Sequence, residues 1–106
     1  MAPGADGAGV VEAIGDGVTG VAAGDRVYIG GTADHKAYGA YRQLVLCRES
    51  QVHALPARVS FSEGAAVNVP CVTAYRALHL AMPTSGDTVL VHGASGAVGL
   101  AADAAE

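Results

Sequence analysis

The stretch Thr88-Val89-Leu90-Val91-His92-Gly93-Ala94-Ser95-Gly96-Ala97-Val98-Gly99 constrains this chain more than any other. Four β-favouring residues lead into a turn with glycine at every third position. The alanine-rich Leu100-Ala101-Ala102-Asp103-Ala104-Ala105 follows. This order predicts strand, tight turn and helix, the context in which such glycines hold a phosphate. Gly93 and Gly96 permit dihedrals that a side chain forbids, and Gly96 has no Cβ to hold a ligand away. Gly99 lets the new helix pack tightly on its strand. The helix then aims its unpaired N–H groups and positive dipole end at an anion over Gly96 and Ala97. A pyrophosphate is the expected anion.

Other readings of the loop meet specific obstacles. A nucleoside-triphosphate P-loop ends in Gly-Lys-Ser/Thr, and no lysine lies near. The run Gly93-Ala94-Ser95-Gly96-Ala97 approaches the G-x-S-x-G of a hydrolase elbow. Such an elbow draws an acid and then a histidine from later in the chain, and only Asp103 and Glu106 follow. A plain turn joining strand to helix without any ligand stays open beside the phosphate reading.

The 106 residues fit one small domain that buries roughly two-thirds of its unfolded surface. With 51 % hydrophobic residues, 5 % aromatics and no tryptophan, the core must come from Val, Ala and Leu. A net charge of −4 with six scattered basic residues leaves no cationic stripe, so nucleic acid is not the expected partner. No apolar run is long enough to span a membrane, and Met1–Asp6 lacks the basic start and apolar core of a signal peptide. Cys47 and Cys71 form no C-x-x-C pair and read as two buried thiols in a reducing cytosol rather than a disulfide. A cytoplasmic location is therefore expected.

Strands are predicted at Ala8–Ile14, Asp25–Ile29, Ala40–Leu46 and around Val52–Leu55, with the turn signals of a small β-barrel or sandwich. The grammar changes at Ser60. Ser60-Phe61-Ser62-Glu63 fits a capping box with Ser60 as N-cap. Pro70 suits the first turn of a second helix, in which Val72, Tyr75, Leu78 and Met82 fall at helical spacing. Pro83 ends that helix, and Ser85-Gly86-Asp87 turns the chain towards Thr88. The order is β-rich, then αα, then βα.

Four motifs carry a resemblance, and they occur in one order: Pro3-Gly4-Ala5-Asp6-Gly7-Ala8-Gly9-Val10-Val11, Gly24-Asp25-Arg26-Val27, Thr73-Ala74-Tyr75-Arg76-Ala77-Leu78 and Val89–Gly99. Together they resemble the medium-chain dehydrogenase/reductase superfamily, and within it the zinc-free NADPH:quinone oxidoreductases, the group that includes zeta-crystallin. The resemblance covers nearly the whole chain. It implies an α/β chain: the C-terminal part of a GroES-like β-barrel substrate domain (1–69), followed by the first βα unit of a Rossmann, doubly wound parallel-sheet domain (70–106). NADPH would lie in the cleft between the two, with a quinone or other α,β-unsaturated carbonyl as acceptor and a homo-oligomer as the full-length state. On the same resemblance, Gly93, Ser95, Gly96, Ala97, Val98 and Gly99 belong to the loop that holds the NADPH pyrophosphate. Thr73 matches a threonine near the nicotinamide and its ribose; a helical threonine bonding back to the preceding turn is the equal alternative.

The departures are as informative. The zinc alcohol dehydrogenases carry Gly-His-Glu where this chain has Gly4-Ala5-Asp6, and Ala5 cannot ligate a metal. A structural zinc lobe needs four closely spaced cysteines, and Gly30–Tyr41 has none. His35, His53, His79 and His92 are scattered; His35 reads as solvated, His53 and His79 as exposed, and His92 as a satisfied core imidazole. No metal is expected. No acid–base pair is found, and the catalytic residues are unknown. Family members are far longer, and the chain is expected to lack the first barrel strands with the family's active-site tyrosine. It is also expected to lack the position about 20 residues past the glycines that reads the ribose 2′ group. Leu100–Glu106 departs from the usual Ala-x-Gln-Leu-Ala continuation, as a frameshift, a gene fragment or an odd truncation would leave it. The 106 residues alone are expected to be inactive, because the strands that would wall the adenine-ribose half and the acceptor are expected to be missing. Two other functions share these features: a zinc-free enoyl-thioester reductase, and a non-catalytic crystallin-like structural or binding protein.

Overall fold

The short run Arg26-Val27-Tyr28-Ile29 alternates in the manner of a half-buried strand, and in the computed structural model it is the centre of the sheet. Residues 3–30 and 39–105 are described. The elements run β1 (Gly7–Val10), β2 (Arg26–Ile29), a 3-10 turn (Glu49–Gln51), β3 (Val52–Ala54), α1 (Phe61–Ala65), α2 (Asn68–Ala81) and α3 (Ala97–Ala105). The chain divides into two compact units, Met1–Asn68 and Val69–Glu106.

In the first unit the strands lie in the order β1-β2-β3, antiparallel throughout. Gly7 pairs with Ile29 and Gly9 with Val27, while Ile29 and Val27 face Val52 and Ala54 on the other side. These residues share one face of the sheet, and Val27 and Ile29 on it are buried. The opposite face carries Ala8, Tyr28 and His53, whose rings stack 5.0 Å apart, together with Arg26. Leu55 extends the β3 ladder by donating its N–H to the Arg26 carbonyl at 3.0 Å.

Helix α1 covers that second face. Ser60 caps it as its sequence predicts: the Ser60 hydroxyl accepts the Glu63 N–H at 3.1 Å and donates to the Glu63 carboxylate at 3.1 Å. Gly64 is buried where α1 meets the sheet. A Cβ there would stand 2.7 Å from a Leu55 methyl and 3.3 Å from the Ala8 Cβ, so glycine sets how close the helix sits. Arg26 fastens the link between β3 and α1. Its two terminal nitrogens donate to the carbonyls of Pro56 at 2.9 Å and Val59 at 2.7 Å, and its guanidinium lies 4.5 Å from the centre of the Phe61 ring.

Three of the four predicted strands form, each shorter than its apolar run. The fourth, Ala40–Leu46, does not. Ala40 and Tyr41 donate to the carbonyls of Gly4 and Pro3 at 3.0 Å each, and Arg42 then bonds back to Ala40, turning the chain away. Alternation prepares a strand, but a ladder needs a partner along its whole length. Tyr41, Leu44 and Leu46 are accordingly exposed.

In the second unit α2 starts near Pro70, as predicted, and runs to Ala81. Met82 takes a left-handed φ of 50° while its N–H still bonds the Leu78 carbonyl at 3.0 Å, and Pro83 follows. The predicted apolar face is mostly uncovered: Val72, Tyr75 and Met82 are exposed, Leu78 is half-buried, and the buried position is Ala74. Cys71 is exposed on the same helix and Cys47 is half-buried, which corrects the expectation of two buried thiols; both are free.

Replacing Arg26 with alanine removes two charge-assisted hydrogen bonds and the ring contact, and should cost the first unit about 2 kcal/mol. A lysine, with one donor centre and no fork, should restore less than half of this. Urea unfolding followed at the sheet checks the expectation, and an unchanged midpoint for the alanine variant contradicts it.

Candidate functional site

The glycine turn is prepared by a smaller turn before it. The Asp87 carboxylate accepts the backbone N–H of Thr84 at 2.7 Å and its hydroxyl at 3.2 Å, while Asp87 donates to the Thr84 carbonyl at 3.0 Å. Gly86 supplies the left-handed φ of +94° that this turn requires. Thr88–Val91 then follows without joining a ladder, which corrects the predicted strand: among the described residues nothing pairs with it, and Leu90 is 79 % exposed.

The turn and helix form as the spacing predicts. Gly93 has a φ of +71°, and its carbonyl accepts the N–H of Gly96 at 3.0 Å, closing the turn. The Gly96 carbonyl accepts the N–H of Leu100 at 2.8 Å, which makes Gly96 the residue that caps α3. Ala97, Val98 and Gly99 are therefore the first three helical residues. Their N–H groups precede any carbonyl that a helical turn could offer, and they carry the positive end of the helix dipole.

The glycines have different jobs. A Cβ on Gly99 would run into the Gly93 carbonyl oxygen and come within 2.7 Å of the Ala94 Cα, so Gly99 is where the helix lies against its own turn. It is buried, and its packing is on that turn rather than on a strand. A Cβ on Gly96 would meet one atom, the Gly93 oxygen at 3.4 Å, an ordinary contact. Its outer side is open. Ser95 and Ala97 are exposed, Val98 is 39 % exposed, and Gly93, Ser95, Gly96, Ala97, Val98 and Gly99 thus stand together in one turn. Thr73 is exposed on α2, a separate element.

The other polar candidates stand apart. His53 and His79 are exposed, each against a tyrosine ring: Tyr28 for the first, and Tyr75, 5.9 Å away, for the second. His92 is exposed at the mouth of the turn, which corrects its reading as a core imidazole: with no ladder beneath it, there is no core there to satisfy it. His35 and most of the Gly30–Tyr41 lobe lie outside the described residues. Among the described residues no three His, Cys, Asp or Glu side chains gather as a metal set, and no helix is long and apolar enough to cross a membrane. Burial pushes the Cys47 thiol above the ordinary thiol range.

Comparison with known proteins gives this geometry a setting. Residues 1–57 match the alcohol dehydrogenase GroES-like domain. Human quinone oxidoreductase is 48 % identical over 94 % of the chain, which spans 30 % of that relative's length. A mycobacterial protein solved in complex with NADPH aligns at a TM-score of 0.81 and 34 % identity, covering 93 % of this chain and 30 % of the other. The apo form of JamJ enoyl reductase aligns at a TM-score of 0.85 and 34 % identity, over 95 % of this chain and 29 % of the other.

Gly99→Ala should break the start of α3, at a cost of about 1–3 kcal/mol from overpacking, while Gly96→Ala leaves the helix in place. Amide exchange at Ala101–Ala104 separates the two variants. Equal protection in both contradicts the assigned roles.

Proposed function

The chain belongs to the alcohol dehydrogenase GroES-like domain family, and on that premise we propose that it is part of an NADPH-dependent oxidoreductase of the quinone reductase type. Residues 1–69 supply the rear of the substrate domain, and residues 70–106 open the NADP-binding Rossmann domain. The division of the chain at Asn68 supports this assignment, as does the likeness to human quinone oxidoreductase along nearly the whole chain.

The observation that carries the cofactor reading is the open side of Gly96. Among the described residues nothing requires glycine there: its φ is not left-handed, and a Cβ would meet no more than an ordinary contact. What a side chain would occupy is the space in front of the first N–H groups of α3, where an anion docks. Ser95, Gly96, Ala97 and Val98 are the residues to hold the pyrophosphate, with Gly93 and Gly99 fixing the turn's shape. Thr73 is assigned to the nicotinamide end. NADPH, when bound, supplies the reducing equivalents; the protein's part is to bind and orient it. These residues include no group in position to move a proton.

The acceptor is a quinone or another α,β-unsaturated carbonyl. Enoyl-thioester reduction is the second reading, favoured by the likeness to an enoyl reductase. A non-catalytic, crystallin-like role would keep the cofactor turn and lack turnover. We further assign the enzyme to the cytoplasm, as a homo-oligomer at full length and without zinc, because Ala5 stands where a zinc ligand is needed.

A protein that continues this chain to its relatives' length should oxidise NADPH when a simple quinone is added. Oxidation with enoyl thioesters alone favours the second reading, and oxidation with neither contradicts the oxidoreductase assignment. The 106 residues by themselves should show no saturable NADPH binding below the millimolar range, because Thr88–Val91 lacks a ladder and binding must order the turn as well as hold the ligand. A micromolar isotherm would overturn that expectation. Metal analysis should find no tightly held zinc; one zinc per chain contradicts the zinc-free assignment.

A further inference from the structure

Glu49 makes a long-range contact that the proposed function does not use. Its Oε1 accepts the backbone N–H of Gly20 at 2.7 Å and that of Thr19 at 3.3 Å, across 29 and 30 residues of chain. The carboxylate itself is well anchored. It opens the 3-10 turn Glu49–Gln51, which is closed by the Gln51 N–H on the Arg48 carbonyl at 2.9 Å and by the Arg48 N–H on the Gln51 side-chain oxygen at 2.9 Å. That turn leads directly into β3.

The gripped segment is tied at its far end by the Ala22–Asp25 turn, where the Asp25 carboxylate accepts the Ala22 N–H at 2.9 Å, and has few contacts between. From Gly15 to Val21 every residue is exposed except Val18 and Val21, which are half-buried. Gly15 and Gly17 have no neighbour within 4 Å of a Cβ position, and the Val18 N–H bonds only as far as the Gly15 carbonyl, at 3.4 Å. Val18 and Val21 line an open cavity of about 310 Å³ of mixed character, together with Val27 and Ile29 of β2, Cys47 and Glu49 itself. Both valines line the cavity, and the two amides that the carboxylate accepts, Thr19 and Gly20, lie between them in the chain.

We propose that Glu49 is a clasp that holds Gly15–Val21 as a movable wall over this cavity, and that the wall opens when the clasp is lost. One acceptor oxygen takes both adjacent amides, so the position of Oε1 rather than its charge fixes the middle of the segment, whose far end is tied by the Ala22 N–H on the Asp25 carboxylate at 2.9 Å. The device lies in the first unit and stands whether or not the glycine turn binds a dinucleotide.

Cys47 reports on the wall, because it lines the same cavity, and exposed Cys71 provides a reference in the same molecule. The test is iodoacetamide alkylation of the 106-residue chain, read peptide by peptide, with amide exchange at Val27 and Ile29 as a monitor of the sheet. Glu49→Ala should speed Cys47 alkylation relative to Cys71 by about tenfold, as expected for loss of two hydrogen bonds to one acceptor. Glu49→Gln keeps an acceptor oxygen at the Oε1 position and should stay within about threefold of the unaltered chain. An unchanged Cys47 rate in Glu49→Ala overturns the proposal. So does a Gln variant as fast as the Ala variant, which would mean that charge alone sets the thiol's reactivity. Loss of Val27 and Ile29 protection in parallel with the faster alkylation also overturns it, because the sheet as a whole would then have loosened.

Discussion

The guanidinium of Arg26 holds the first unit in its shape. It stands on the central strand, bonds the carbonyls of Pro56 and Val59, and lies over the Phe61 ring. One side chain thereby joins the sheet, the Pro56–Val59 connection and helix α1. Without it, the half-buried Val59 carbonyl loses its partner and the exposed Pro56 carbonyl turns to water, in keeping with the loss of about 2 kcal/mol expected for Arg26→Ala. The same link leads into α1, which sits close on Ala8 and Leu55 through Gly64.

In the second unit one short backbone contact plays the corresponding part. Gly99 lies directly against the Gly93–Ala94 turn, so α3 must begin where it does and in the direction it takes. The helix start then offers the N–H groups of Ala97 and Val98 beside an open Gly96. Steric need and ligand need thus fall on different glycines of one motif. Gly99 serves the fold, Gly93 takes the left-handed dihedral, and Gly96 keeps an open side, where the proposed anion site lies.

Much of this was legible in the sequence wherever the signal is local. The Ser60 cap, the placing of Pro70 in the first turn of α2, its end before Pro83 and the start of α3 each depend on residues within one helical turn of one another, and these formed as read; Gly99, however, packs on its own turn rather than on a strand, and Gly96 takes no left-handed φ. The strands were legible only in part. Ala8–Ile14 and Asp25–Ile29 found each other through a ladder, whereas Ala40–Leu46 and Thr88–Val91 carry the same alternation or β-favouring character and pair little or not at all. Residue type reports a preference for a strand, and only a neighbour makes one. Exposure failed for the same reason: Val72, Tyr75 and Met82 have the spacing of a buried face, yet nothing among the described residues covers them, and His92 lost its expected core with its strand. The Glu49 clasp spans about thirty residues and joins a carboxylate to backbone amides, a pairing that no spacing rule announces.

The measurement that bears most directly on the cofactor reading is NADPH affinity in a protein that continues this chain to the length of its relatives, with Gly96→Val compared against the unaltered turn. A branched side chain would fill the space in front of Ala97 and Val98, so binding should weaken at least tenfold, about 1.4 kcal/mol, while the circular dichroism of the folded protein is unchanged. Unchanged affinity with the fold intact would contradict a phosphate site at Gly96 and leave the motif as a turn between two elements.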